Sequence, residues 1–270
     1  MRIVGVDLAW AEHNRTGLCL VDDGRAVESA VARGDDEIVQ WIGCRAAGDV
    51  VVAFDAPLVV ENRDGCRGPE RVIASAWGRA HASCHVANRG RPWFADGGRA
   101  RRLARRLGLT IDPHAPRARR RGIEVYPHTA LVSLFDLPIV LKYKAGRSRT
   151  GGVSVARTVL SRKAEFRRLV AYVAALDRRT PSMTVSASDG WRRVVAALEA
   201  AATGAALDTL EDELDAYVCA YVGLLFHERA GRTDCVVIGD AATGYVVTPI
   251  DHARWDAVRR AADRYDVNVA

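Results

Sequence analysis

Four aspartates stand where their carboxylates could share a cation: Asp7, Asp55, Asp212 and Asp215. Asp7 ends the apolar run IVGV, and Asp55 ends a second run, DVVVAF. A carboxylate at the tip of a buried strand must be solvated, paired or metal-bound, because an isolated buried charge is prohibitively costly. If the two strands are parallel neighbours, both side chains emerge at one end of the sheet. Asp208, Asp212 and Asp215 follow one another at spacings that line one face of a helix. Each acid alone has an ordinary explanation. Asp7 suits a turn, while Asp208, Glu211 and Asp212 suit the first turn of a helix, where free N–H groups and the macrodipole favour negative charge. Asp215 lies a turn deeper, where that explanation fades. Carboxylates that converge within a few ångström repel one another, and a divalent cation such as Mg²⁺ or Mn²⁺ is the natural resolution.

The elements that must position these acids are readable from apolar periodicity. Strands are predicted at 3–6, 17–21 and 25–32, with the DDG of 22–24 as a hairpin turn between the last two. Asp35 and Asp36 open a helix whose apolar face carries Ile38, Val39, Trp41 and Ile42. The fourth strand, 49–58, is nearly all apolar and so central, with Pro57 stopping it. Helices at 69–82 and 99–107 precede a fifth strand, GIEVYP at 122–127. Helices from 128, at 157–176 and at 190–202 come next, separated by the polar stretch KYKAGRSRTGG. Residues 210–228 form the clearest helix, with Leu207, Leu210, Leu214, Val218 and Leu225 as its apolar stripe. Its small residues Ala216, Cys219, Ala220 and Gly223 would let it lie close against a sheet. A hairpin over 235–249 and a closing helix from Asp251 end the chain. This is the order of a ribonuclease H-like α/β fold: a mixed five-stranded sheet flanked by helices. A single domain is predicted, with core 1–56, 122–128 and 207–250, large insertions at 57–121 and 129–206, and a terminal helix at 251–265.

Composition narrows the function classes. The chain has 270 residues, 49% hydrophobic and 27% charged, enough to bury a substantial core. No apolar run approaches the roughly 20 residues of a membrane span. The first residues already form a strand, without a signal-like leader, so a cytoplasmic location is expected. Six scattered cysteines read as small core residues in a reducing compartment. Cys66, His81, Cys84 and His85 lack a CxxC pair and favour packing and loops over zinc. The net charge is +6, but it is unevenly spread. Residues 57–121 hold fifteen Arg and no Lys against five acids, including the basic cluster 116–121. That segregation favours a polyanionic partner, although an Arg-rich chain would carry some of it in any case.

The segments GVDLAW, AFDAPL, GCRGPER (65–71), EVYPHTAL (124–131), KYK (142–144) and EDELDAYVCA (211–220) together resemble a family of predicted RNase H-like nucleases of unknown function. The resemblance is collinear from residue 3 to about 249. It implies a ribonuclease H-like fold, with Asp7, Asp55, Asp212 and Asp215 at the acidic motif positions. The layout is similar to that of Holliday-junction resolvases, except that Asp55 stands where those enzymes commonly carry a longer Glu. The activity expected from this resemblance is two-metal phosphodiester hydrolysis of a nucleic acid. Asp7 would bridge both ions, Asp55 and Asp215 would each complete one side, and Asp212 would help from the helix, with the ions about 3.5–4 Å apart. DNA, RNA and branched substrates stay open. The rival reading is a non-catalytic nucleic-acid-binding or regulatory protein on the same fold.

Other polar positions could serve such a centre. Arg67 and Arg71 could clamp a phosphate with Glu70 holding them, or all three could form a surface network. Glu124 could join the metal shell, but pairing with an arginine of the insertion is favoured. His128 could act on a water or a phosphate, or serve as a hydrogen-bonded structural group. Lys142 and Lys144 flank Tyr143, a combination suited to backbone contact and base stacking, and equally to a solvated loop. The GDAATG turn at 239–244 lacks the GK[ST] of a phosphate loop.

Overall fold

Val, Ile, Leu and Ala dominate the first apolar runs, and each becomes a strand of one sheet. The computed structural model describes residues 1–115, 118–150, 153–228 and 234–270, with backbone alone at 148–150 and 153–155. Pro116 and Arg117 of the basic cluster lie outside the described residues, as do the two glycines ending the polar stretch. β1 (Arg2–Asp7), β2 (Arg15–Asp22) and β3 (Arg25–Arg33) form an antiparallel meander. Asp23 and Gly24, at φ 45° and 75°, make the tight turn expected of the DDG triplet. α1 (Asp35–Arg45) buries Ile38, Trp41 and Ile42 and leads into β4 (Val50–Phe54), whose five residues are all buried. β4 ends earlier than its apolar run. Residues 56–60 stay buried outside the ladder, because Pro57 has no N–H to continue it.

α2 (Gly68–Trp77) and α3 (Arg99–Arg106) occupy the first insertion. β5 (Arg120–Glu124) closes the sheet, whose order is β3-β2-β1-β4-β5, with β1, β4 and β5 parallel. α4 (Pro127–Leu134) comes next, with Pro127 in its first turn. β6 (Arg147–Thr150) and β7 (Val153–Ala156) pair as a small separate hairpin. That hairpin was not expected, since RSRT carries no apolar alternation to announce it. α5 (Val159–Ala174) and α6 (Asp189–Ala200) are capped by Thr158 and Ser188, whose hydroxyls accept from Ser161 and Trp191 N–H. α7 (Gly204–Glu228) is the long helix, and its stripe of Leu207, Leu210, Leu214, Val218 and Leu225 is buried. β8 (Cys235–Asp240) and β9 (Gly244–Pro249) form their own two-stranded sheet, touching the strand β5 end through a bridge between Val125 and Val247. α8 (His252–Tyr265), capped by Asp251, packs against α2.

Two features of this frame place the acids. β1 and β4 run parallel in register from Arg2↔Val50 to Val6↔Phe54, and the Asp55 N–H donates to the Val6 carbonyl at 2.8 Å. Asp7 and Asp55 therefore leave the sheet as neighbours at its C-terminal edge. α7 crosses β1 and β2 so closely that only glycine fits beneath it. A Cβ at Gly5 would fall 2.0 Å from the Ala216 carbonyl oxygen, and one at Gly17 would fall 1.8 Å from that of Asp212. The helix also begins earlier than its acids suggested. Gly204 opens it, so its first turn holds no acid, and Asp208, Glu211 and Asp212 owe their place to something other than the helix end. A continuous core joins residues from Ile3 to Ala261, and no described helix is long and apolar enough to cross a membrane.

Candidate functional site

Asp7, only 9% exposed, opens with Asp55 onto a cavity of about 220 Å³ at the C-terminal edge of β1 and β4. The Asp55 carboxyl is a close neighbour of the Asp7 carboxylate there. Burial pushes Asp7 well above the usual carboxylate range, and the charges of Asp215, Asp55 and Asp212 push it further against the pull of Lys144. Burial likewise raises Asp55 to about 7, with Lys144 opposing and Asp215 adding. Burial therefore opposes the ionisation of both neighbouring carboxyls.

The α7 acids meet a cation of the chain's own. Lys144 Nζ lies 2.8 Å from Asp215 Oδ2 and 3.6 Å from Glu211 Oε1. The Tyr143 hydroxyl donates to Asp215 Oδ1 at 2.6 Å, so both oxygens of this fully buried carboxylate are engaged. Burial works against the Lys144 ammonium, but Asp215, Tyr143 and Asp7 outweigh it and hold its pKa well above the usual value. Lys144 also divides the site. On one side is the Asp7–Asp55 cavity; on the other is a cavity of about 550 Å³ lined by Arg15, Asp208, Glu211 and Asp212. Asp212 thus fronts the second cavity, 3.7 Å from Arg15 Nε, and burial raises it to about 6. The Asp208 carboxylate accepts from Arg162 Nη2 at 2.6 Å. Among the described residues, no three His, Cys, Asp or Glu side chains stand together as a cation-binding group.

His128 and Tyr126 line the same cavity as Asp7, their rings stacked 5.3 Å apart. His128 Nε2 lies 3.5 Å from the Tyr143 hydroxyl, and burial, reinforced by Lys144, lowers its pKa to about 3. It is a neutral imidazole at physiological pH. Trp10 also lines the cavity, edge-on to Phe94 at 4.8 Å.

A family model described as a protein of unknown function, DUF429, matches residues 5–242. The chain belongs to the DUF429 family. No curated protein and no solved structure matches it. All the acids above, with Lys144 and His128, lie inside the DUF429 match, whereas α8 lies beyond it.

The remaining predicted residues of this DUF429 chain take different places. Arg67 borders the cavity but is buried rather than presented to a ligand. Its Nε donates to Glu70 Oε1 at 2.8 Å, its Nη2 to Glu124 Oε1 at 2.6 Å, and its Nη1 to Glu124 Oε2 and the Val59 carbonyl. Glu70 also accepts the Ala87 N–H at 3.0 Å, and Glu124 the Leu58 N–H at 3.0 Å. This buried network, not a surface clamp, is what Arg67, Glu70 and Glu124 build. It ties β5, α2 and the loops at 58 and 87 into the cavity wall. Arg71 is exposed, its guanidinium 5.4 Å from the Tyr265 ring. Lys142 is half-buried, its N–H bound to Glu165. Cys44 and Cys66 are exposed rather than in the core. Three residues escaped the sequence reading: Trp10, Arg15 and Arg162. Trp10 closes the GVDLAW segment three residues after Asp7, whereas Arg15 and Arg162 sit in no spaced motif with the acids and reach the site only through tertiary packing.

Proposed function

We propose that this protein is a metal-dependent nuclease on a ribonuclease H-like fold, hydrolysing phosphodiester bonds of a nucleic acid. One observation carries the reading: two carboxylates from adjacent parallel strands face one cavity, both with pKa values raised by burial and by neighbouring acids. The C-terminal edge of parallel strands is where open α/β sheets bind ligands. The meander followed by parallel strands is the strand order that the fold assignment requires.

The donor set fits a hard divalent cation. Asp7 and Asp55 offer carboxylate oxygens, suited to Mg²⁺ or Mn²⁺. Asp215 and Asp212 would complete the shell only by exchanging Lys144 and Arg15 for the ion. Such an ion would supply an activated water and charge stabilisation at phosphorus. The chain's own residues do the rest. Lys144 presents positive charge to a phosphate entering the cavity. Neutral His128 can hold one hydrogen bond to a water or a phosphoryl oxygen. The Arg67 network braces the wall, and Trp10 adds an apolar ring to the cavity lining.

The paired state of Lys144 and Asp215 favours a second reading, in which the acids form a neutralised network inside a non-catalytic nucleic-acid-binding or regulatory protein. Turnover separates the two. Labelled single- and double-stranded DNA and RNA are incubated with Mg²⁺, with Mn²⁺ and with chelator. Cleavage should need the metal. Asp7→Asn keeps shape but loses ligand charge, and should lower the rate at least about 100-fold, since outer-shell partners alone are commonly worth 10–100-fold. Full activity in chelator or in Asp7→Asn would sink the nuclease reading.

A further inference from the structure

We propose that Lys144 supplies the second positive charge of the centre, so that Asp7 and Asp55 take one divalent ion rather than two. This rests on the metal-dependent reading above and changes its stoichiometry.

The ammonium is held in place, not merely nearby. Its Nζ sits 2.8 Å from Asp215 Oδ2, on a side chain only 31% exposed. The backbone beneath it is tied down on both sides. Arg162 Nε donates to the Tyr143 carbonyl at 2.7 Å, and Arg157 Nη1 donates to the Lys144 carbonyl at 2.7 Å. The Tyr143 hydroxyl fixes the other oxygen of Asp215, so residue 144 and the helix are joined through one carboxylate. Arg162 is itself buried and bound to Asp208, which anchors the segment to α7 a second time.

Charge balance then limits what else the centre can accept. Lys144 already pairs with Asp215, and Glu211 stands 3.6 Å from the same ammonium, so Asp7 and Asp55 are the carboxylates of this cavity left open to an ion. A second ion bound at Asp215 would sit against the ammonium, and like charges at contact distance repel strongly where water is excluded. Asp212 offers no separate seat, because it faces the other cavity beside Arg15. Lys144, in contrast, lines the same cavity as Asp7 and Asp55. There its charge faces the oxygens of a bound phosphodiester, where a second ion would otherwise act.

The test counts ions without using substrate. Mn²⁺ is titrated into the full chain by calorimetry, for wild type, Lys144→Met and Lys144→Arg. Methionine keeps the apolar stem and removes the charge; arginine restores the charge. The expected result is one Mn²⁺ per chain in wild type and in Lys144→Arg. Lys144→Met should take a second ion, or bind the first at least tenfold more tightly. Two ions in wild type overturn the proposal, and so does a Lys144→Met protein with wild-type stoichiometry and affinity. Wild-type stoichiometry decides even if Lys144→Met fails to fold. Two ions together with metal-dependent cleavage would remove this inference and leave the nuclease reading standing. No Mn²⁺ binding by wild type would remove both.

Discussion

Asp55 and Asp215 are both buried acids, yet their surroundings give them opposite effects on stability. Asp55 faces Asp7, with Lys144 opposing its raised pKa, whereas Asp215 accepts from Tyr143 and pairs directly with Lys144. In chelator near pH 8, Asp55→Asn should therefore melt higher than wild type, because repulsion with Asp7 is relieved. Asp215→Asn should melt lower, because a half-buried ammonium and the buried Tyr143 hydroxyl lose their charged partner. The pH dependence has a definite sign. Asp7 and Asp55 have folded pKa values raised above the unfolded ones, so the native state holds protons that the unfolded chain has released. Stability of the metal-free protein should fall as pH rises from about 4 through the folded pKa of Asp55, about 7. Melting temperatures between pH 5 and pH 8 test this; a flat profile in wild type, or one unchanged by Asp55→Asn, would contradict it.

Among the elements, α7 and the buried arginine network carry the site. α7 can hold its acids over β1 and β2 only because Gly5 and Gly17 have no side chain. Gly17→Ala would drive a methyl group into the Asp212 carbonyl, an atom that cannot move without the helix. Destabilisation of about 3 kcal/mol is expected, as for severe overpacking. Displacement of α7 should also separate Lys144 from Asp215. Chemical denaturation measures the first effect, and Mn²⁺ affinity the second. Arg67 has a different kind of importance. Its one guanidinium pairs with both Glu70 and Glu124, and all three side chains are buried. Arg67→Met keeps the apolar volume but leaves two buried carboxylates uncompensated, and should cost about 3–5 kcal/mol. A variant as stable as wild type would show that solvent reaches the pair.

Across the whole molecule, charge is segregated onto the first insertion, and α3 is its densest part. Ala100, Leu103 and Ala104 bury one face of that helix, leaving Arg101, Arg105 and Arg106 exposed and Arg102 half-exposed. Three of these arginines sit in surface pairs: Arg101 with Glu61 at 2.9 Å, Arg102 with Asp96 at 2.8 Å, and Arg106 with Asp36 at 2.5 Å. Exposed pairs of this kind are worth little and can be exchanged for a phosphate. Neutralising Arg101, Arg102, Arg105 and Arg106 together should weaken nucleic-acid binding alike across sequences. It should also flatten the plot of log K against log salt by about 0.7–0.9 per lost phosphate contact. The neighbouring acids mean that fewer than four contacts are expected to disappear. An unchanged slope would leave α3 a solvated face.

Local signals in the chain were enough for much of this. Apolar runs ending in Asp7 and Asp55 announced two strand tips, and the Leu stripe of 207–225 announced the long helix, because burial of a regular element leaves a periodic trace. The DDG turn and the stop at Pro57 were legible for the same reason: backbone geometry at those positions depends on the residue itself. Partner choice left no such trace. Arg67 has the sequence setting of a phosphate clamp, yet Glu124, distant in sequence, lies across from it. Lys144 has the setting of a basic loop, yet packing sets it on Asp215. Nothing in KYK specifies a carboxylate more than seventy residues away, and a charge acquires its role from what surrounds it once water is excluded. The acids themselves were determined by the sequence. Whether they meet an ion, one another or a lysine was decided only by the tertiary structure, because long side chains reach across elements whose relative placement no local pattern encodes.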